Sequence, residues 1–268
     1  MGSLRPLGEG LDNTAHEAEG ELVLRFSKEP DAALRAEGVL REARLLDVVR
    51  KISPLPTPEP RFTAPDQGCL AYVKLPGVQL LDLFPVREAS SVAATLGHFL
   101  SALHSASTTA MAKLVETDDV PLTEWLGEAQ EIYGEVASRV PSSFWRPAEA
   151  FLEGRPPGRT DALVFSHNDL GIEHVLVDGD SRVTGIIDWT DAAITDPATD
   201  FGRIYRDLGP AALDVALAAY GDHGNLRERA EFYARCGVFE DLAYGMETGD
   251  DRYTGKSLAA MQWLFPVL

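Results

Sequence analysis

Basic residues are scarce in this chain: 24 Lys and Arg stand against 42 Asp and Glu, for a net charge of −18. A protein that grips phosphate backbones draws most of its affinity from Lys and Arg, so the balance argues against nucleic acid as a partner. Cysteine is scarcer still. Cys69 and Cys236 are far apart and lack C-x-x-C spacing, which argues against a metal knuckle or redox pair and leaves two small buried hydrophobes. Long apolar runs are missing, since no stretch approaches the roughly 20 residues of a membrane helix. Met1 to Gly10 has no basic segment followed by an apolar one, so the expected setting is cytoplasmic, with no membrane partner. There is no G-x-x-x-x-G-K-[ST] segment, no complete G-x-G-x-x-G, no internal repeat and no low-complexity tract.

What is present is enough for a substantial core: 268 residues, 45% of them hydrophobic, can form one large domain or two packed lobes. The charge is unevenly spread. Residues 1–75 hold 12 acids and 10 bases, a net of −2, which leaves −16 for the remainder. An acidic surface of that kind serves solubility or attracts cations.

The chain opens on strands and turns: Arg5 to Glu9, a turn at Gly10-Leu11-Asp12-Asn13, then the apolar run Glu21 to Phe26. From Asp31 the period changes, and Leu34, Val39, Leu45, Leu46 and Val49 line one face of a helix of about five turns. Ser53 to Pro60 carries four prolines and reads as an extended connector. Cys69 to Val73 is an apolar strand stopped at Pro76-Gly77, where we place the boundary between lobes. Helices dominate beyond it. Val92, Leu96, Phe99, Leu100 and Leu103 share one face; Trp125, Ala129, Ile132 and Val136 share another. Two short strands, His174 to Val177 and Val183 to Ile187, flank Asp178-Gly179-Asp180-Ser181 as a hairpin. Further helices are expected over Ala198 to Leu208, Pro210 to Tyr220, Leu226 to Met246 and Ser257 to Leu264.

That hairpin is bracketed by reactive residue types: Ser166-His167-Asn168-Asp169 before it, His174 on it, and Ile187-Asp188-Trp189 at its end. Asp169, His174 and Asp188 can therefore point into one cleft. Phosphoryl transfer needs such a group, one carboxylate to accept the proton of the attacking hydroxyl and metal ligands to hold magnesium against nucleotide phosphates.

The order and spacing of these residues resemble the aminoglycoside phosphotransferase family, whose pattern is H-x-D, a metal ligand five residues beyond the Asp, I-D-W, then D-P-x-x-D. Here those are His167-Asn168-Asp169, His174, Ile187-Asp188-Trp189 and Asp196-Pro197-Ala198-Thr199-Asp200. The resemblance implies an α+β, two-lobed protein-kinase-like fold. A small N-terminal antiparallel sheet lobe with one helix (1–75, linker about 72–77) would bind nucleotide, and a larger, mainly helical C-terminal lobe (76–268) would carry the catalytic loop, metal site and acceptor surface. It implies that Asp169 is the catalytic base, that His174 and Asp188 hold magnesium (two ions), and that Asp196 and Asp200 brace the loop that follows, with His167 bracing the catalytic loop. The main departure is His174, where most of this fold has asparagine; magnesium prefers oxygen donors.

In the first lobe the resemblance matches Arg25 to the strand cation that pairs with nucleotide phosphates and Glu42 to the helix acid that steadies it. An arginine fork is not equivalent to an ammonium, and exposed surface charges are the alternative reading of the two residues. Lys28 is a substitute, on the opposite face by strand alternation. The linker places the carbonyl of Val73 and the amide of Leu75 against the purine of ATP or GTP. Gly8, Gly10 and Asn13 stand where a nucleotide-covering loop is expected, or form an ordinary hairpin turn. His16, His98, His104 and His223 read as surface or packing residues.

The acceptor should be a cationic small molecule lying against the acidic second part of the chain, with Asp191, Glu240, Asp241, Glu247, Asp250 and Asp251 as candidate contacts; a solvated helix end accounts for Glu240 to Asp251 as well. An aminoglycoside is the first expectation. Macrolides, tuberactinomycin-type peptides and choline-like metabolites are cationic too, and a metabolite kinase or a non-catalytic nucleotide-binding protein are the alternatives. The chain is expected to act as a monomer or weak homodimer.

Overall fold

A computed structural model of the protein describes residues 4–10, 12–221 and 224–267; Leu11 and His223 lie outside them. The chain starts with β1 (Leu4–Glu9), β2 (Asn13–Ala18) and β3 (Leu22–Ser27), followed by α1 (Ala32–Ile52), β4 (Pro60–Ala64) and β5 (Cys69–Val73). The strands form one antiparallel sheet in the order β1-β2-β3-β5-β4. Five strands, not three, build it. β2 reads Asn-Thr-Ala-His-Glu-Ala and shows no apolar alternation; it is a strand because β1 and β3 pair with it on both sides. β4 begins with a proline, which an edge strand tolerates.

The start of α1 is set by Asp31, whose carboxylate accepts the Ala33 and Leu34 amides at 2.8 and 3.0 Å, and Arg50 and Lys51 suit its C-terminal turn. Val39, Leu46 and Val49 are buried. Glu42 falls on the same face at helical spacing, so its carboxylate is carried inward with them. On β3, alternation buries Val23 and Arg25 together. The sheet and helix thus deliver one acid and one base to the same interior.

After Val73 come β6 (Val78–Gln79), α2 (Ala89–His104), α3 (Thr108–Met111), α4 (Leu122–Val136), α5 (Trp145–Leu152), β7 (Val164–Ser166), β8 (Val175–Val177), β9 (Val183–Ile186) and β10 (Ala193–Thr195). The chain ends with α6 (Ala198–Leu208), α7 (Pro210–Tyr220), α8 (Leu226–Thr248) and α9 (Asp251–Leu264). The β8–β9 hairpin is joined by β6 on one side, while β7 and β10 make a separate two-stranded ribbon. α9 begins six residues before the expected Ser257, because Asp250 accepts the Arg252 amide as its N-cap and Gly249 turns the chain with φ 71°. Among the described residues no helix is long and apolar enough to cross a membrane.

The sheet is tied to the hairpin by backbone. Pro56 in the extended connector accepts the Ile186 amide at 3.0 Å, and the Thr184 hydroxyl donates to the Pro76 carbonyl at 2.6 Å. Gly77 makes the turn between them with φ 110°; a Cβ there would lie 2.5 Å from Thr184 Oγ1 and 2.6 Å from Val177 O. Beneath the hairpin lies Trp189, 1% exposed, edge-on to Phe99 and stacked with Phe165, its indole N–H donating to Ile186 O at 3.2 Å. α2 crosses α7 at Gly97, where a Cβ would stand 2.3 Å from Ala216 O.

That crossing gives a direct check. Gly97→Val forces the two helices apart and should cost about 1–3 kcal/mol, as overpacking does. Urea unfolding should show a lower midpoint with an unchanged slope; an unaltered midpoint would mean that the helices do not meet there.

Candidate active site

The turn after β7 holds His167, Asn168 and Asp169. Asn168 takes φ 69°, and Asp188 after β9 takes φ 59°. Left-handed backbone at non-glycine residues is costly and persists where surroundings over-determine it. One such constraint is His167, which is fully buried. Its Nε2–H donates to the Ile187 carbonyl at 3.0 Å, and its Nδ1 faces the Asp169 amide at 3.4 Å. Those roles need the neutral ring with its proton on Nε2, and burial lowers the imidazole pKa accordingly. The imidazole joins the turn bearing Asp169 to the turn bearing Asp188.

His174 completes the link. Its Nδ1–H donates to the Asp169 carbonyl at 2.8 Å and lies 3.4 Å from the Asp169 carboxylate; its Nε2 stands 3.8 Å from Asp188 Oδ2. From the first lobe Arg25 reaches the same place. Its guanidinium is 2.5 Å from Glu42 and 3.6 Å from Asp188 Oδ1, and it donates to the Thr190 hydroxyl, which donates to Asp188 at 2.8 Å. Arg25 is 8% exposed, so the reading of an exposed charge is set aside. Lys28 turns away to Glu9 and the Gly10 carbonyl.

The electrostatics are those of a site short of positive charge. Burial raises the Asp188 pKa, but Arg25, His174 and the Thr190 hydroxyl outweigh it and hold the carboxyl below its ordinary value. Asp191 goes the other way, raised by burial and by repulsion from Asp169 and Asp188. Burial also disfavours a charged His174, yet Asp169, Glu173 and Asp188 around it raise its pKa. With Nδ1–H committed to a carbonyl, the Nε2 lone pair of a neutral ring would confront the Asp188 carboxylate. Two acceptors at that separation need a proton or a cation between them. The donor set therefore suits a divalent cation held by His174 Nε2 and Asp188. Glu173 lies close to Asp169 and His174 as well, but Lys256 takes its carboxylate at 2.8 Å.

One face of α6 follows the turn that bears Asp169. Asp200 accepts the His167 amide at 3.0 Å, Arg203 Nε lies 3.4 Å from Asp169 Oδ1, and Asp207 accepts the Ile172 amide at 3.1 Å. Asp200 thus braces the turn before the hairpin and not the loop after it. Asp196 accepts the Ala198 amide at 2.9 Å and pairs with Arg229 at 2.6 Å, fixing the start of α6 to α8. Arg203 and Thr190 carry no motif of their own. The signal for Arg203 was its spacing from Asp200 and Asp207, which puts all three on one helical face.

Behind the turn, Glu173, Asp207 and Asp241 share two buried cations, Arg206 and Lys256, at 2.8 to 3.6 Å. Three acids and two bases leave the third acid short. Burial pushes Asp241 up to about 6 despite both cations, whereas the cations overcome burial and hold Glu173 and Asp207 low. Asp241 is therefore corrected from an acceptor contact to a member of this network, out of reach of a surface ligand.

Asp250 is corrected too, because both its oxygens are taken by Arg252. Glu240 is exposed and touches Arg203 at 3.5 Å, one side chain from Asp169. Glu247 is exposed two turns farther along α8, roughly 10 Å away by helical rise. At the linker, the Val73 amide is used by Glu59 O, while among the described residues no backbone carbonyl takes the Leu75 amide. Asn13 closes the β1–β2 turn through its carbonyl, which accepts the Gly10 amide at 2.9 Å. His104 is a packing residue between Tyr220 and Ser166.

Comparison with known proteins shows what the chain as a whole is similar to. A profile described as "Phosphotransferase enzyme family" matches residues 3–233. Viomycin phosphotransferase of Streptomyces vinaceus is 29% identical over 217 residues, 76% of this chain and 74% of that protein. Among solved structures, the GDP and kanamycin complex of APH(2")-IIia superposes with a TM-score of 0.69 at 21% identity, covering 97% of this chain and 92% of that one. Macrolide 2'-phosphotransferase MphH from Brachybacterium faecium does so with 0.64 at 26% identity, covering 97% and 92%.

The buried network predicts a large cost for removing one cation. Lys256→Met strands Glu173 and Asp241 and should destabilise by about 3–5 kcal/mol. Thermal unfolding measures it, and a change below about 1 kcal/mol, the range of an exposed pair, would show that the lysine is not buried among those acids.

Proposed function

Because the chain belongs to the phosphotransferase enzyme family, we propose that it transfers the γ-phosphate of ATP or GTP to a hydroxyl of a cationic antibiotic, an aminoglycoside first. The observation that carries this reading is the continuous chain of contacts from Glu42 through Arg25 to Asp188, His174 and Asp169. It supports the reading because a cation suited to phosphate, a pair of side chains suited to a metal ion and a carboxylate suited to accept a proton adjoin one another.

In the proposed reaction the Asp169 carboxylate accepts the proton of the acceptor hydroxyl. The freed oxygen attacks the γ-phosphorus, a new P–O bond forms, the bond to the bridging oxygen breaks, and the nucleoside diphosphate leaves. Arg203 and His174 hold Asp169 in place from either side. His174 and Asp188 would hold magnesium, which when bound neutralises phosphate charge. Arg25 offers its fork to phosphate oxygens while Glu42 keeps it extended. The Leu75 amide and Val73 carbonyl meet the purine edge, and Asn13 helps to cover the phosphates. Asp191, Glu240 and Glu247 offer carboxylates to an amine-bearing acceptor.

A second acceptor has a specific observation in its favour: the relative matched over three quarters of this chain is a viomycin phosphotransferase. A coupled assay of nucleotide consumption with kanamycin, viomycin and erythromycin chooses between them. Turnover of small amino alcohols alone would replace the antibiotic reading with that of a metabolite kinase.

Asp169→Ala should lower kcat by about 100-fold or more, as loss of a general base does, with nucleotide affinity little changed. Steady-state kinetics and a nucleotide titration decide it; a rate near that of the wild type would remove Asp169 from its role.

A further inference from the structure

Arg25, Glu42 and Asp188 meet where the sheet faces the turn after β9, and between the arginine and the aspartate stands a neutral hydroxyl. Thr190 Oγ1 accepts a hydrogen bond from Arg25 Nη2 at 2.5 Å and donates one to Asp188 Oδ1 at 2.8 Å. The reaction described above gives this side chain no part. Three observations say what it does there.

The first is what it keeps apart. Arg25 Nη1 lies 2.5 Å from Glu42 Oε1 but 3.6 Å from Asp188 Oδ1. Opposite charges free to approach draw together to roughly 2.8 Å, in bonds about twice as strong as neutral ones. Arg25 is buried, so solvent screens that attraction little. The arginine and the aspartate stop short of each other because the hydroxyl takes a bond from one and gives a bond to the other.

The second is a division of the Asp188 carboxylate. Oδ1 receives the Thr190 hydroxyl and faces Arg25, while Oδ2 is the oxygen turned to His174 Nε2 at 3.8 Å. With Oδ1 engaged, Oδ2 is the oxygen left for a cation shared with His174.

The third is residue type. A hydroxyl carries one donor and two acceptor lone pairs, so it can serve a guanidinium and a carboxylate at once, which an alkyl side chain cannot. Branching at Cβ restricts χ1 of threonine, and the residue before it is anchored. Trp189 is 1% exposed and donates its indole N–H to Ile186 O at 3.2 Å. The hydroxyl is therefore carried on backbone with little room to shift.

We propose that Thr190 is a positioning residue: it spaces Arg25 from Asp188, commits Asp188 Oδ1 to its own hydroxyl, and so leaves Oδ2 to the metal ion and the Arg25 fork to the nucleotide phosphates. The assignment rests on the metal site of the proposed reaction. Without the hydroxyl, Arg25 closes directly onto Asp188, and that one ion pair withdraws both groups from the nucleotide and its metal.

Equilibrium dialysis of manganese(II) against the intact protein, saturated with a non-hydrolysable ATP or GTP analogue, tests the assignment. Thr190 is exposed, so Thr190→Val, which keeps the shape and loses the hydroxyl, and Thr190→Ser, which keeps the hydroxyl, should both retain the wild-type melting temperature. Thr190→Val should weaken manganese binding about 10–100-fold, as removal of a group that orients a metal ligand does, while Thr190→Ser stays within about threefold of the wild type. Wild-type manganese binding by Thr190→Val, alongside a defective Asp188→Ala, overturns the role of Thr190 and leaves the metal site standing. A Thr190→Ser variant as weak as Thr190→Val overturns it too, because the hydroxyl would then not be the acting group. A wild type that holds no manganese with either analogue, or an Asp188→Ala variant that holds it equally well, overturns the metal site and the assignment with it.

Discussion

A single buried hydrogen bond, from His167 Nε2–H to the Ile187 carbonyl, holds two strained turns against each other, and the site follows from it. Asp169 and Asp188 are 19 positions apart, and each sits in or beside left-handed backbone that its sequence neighbours would not choose. The hairpin returns the chain to the right neighbourhood; the imidazole sets the register of the two turns. Because the ring is neutral and wholly enclosed, it adds no charge to a place already crowded with carboxylates. Trp189 closes the space below, so neither turn can relax inward.

Around that joint the chain accepts an electrostatic cost. Asp169, Asp188 and Asp191 repel one another, and the burial of five ionic side chains behind them is repaid only by close pairing. The same cost has a use. A carboxylate cluster lacking a counter-charge attracts the cations its proposed chemistry employs, a metal ion at Asp188 and an amine on the acceptor. α6 carries much of the alignment, one helical face supplying Asp200, Arg203 and Asp207 to consecutive parts of the segment from His167 to Ile172.

Much of this was legible in the sequence where the signal is local. Contiguous motifs at set gaps named His167, Asp169, His174 and Asp188, and apolar spacing found α1, α2 and most later helices, α6 and α7 at their observed ends. What escaped depended on partners distant in the chain. β2 has no apolar alternation and is a strand only because both neighbours pair with it. Glu240 and Asp241 are adjacent acids on α8, yet one is exposed and the other buried with Arg206 and Lys256; charge alone could not separate residues that differ by one helical step. The segment at Asp118 carries no motif, and its contact with Asn168 appears only when β10 brings it alongside. Arg25 and Glu42 read as either surface charges or a buried pair until the sheet and α1 were packed together.

In the proposed reaction the Nε2 atom of His174 and the carboxylate of Asp188 jointly hold the cation that accompanies the nucleotide. Pulsed electron paramagnetic resonance of manganese(II) with a non-hydrolysable ATP or GTP analogue tests it most directly. The account predicts a hyperfine coupling to a directly bound imidazole nitrogen, lost in His174→Gln; a wild-type spectrum with no such nitrogen coupling would contradict it.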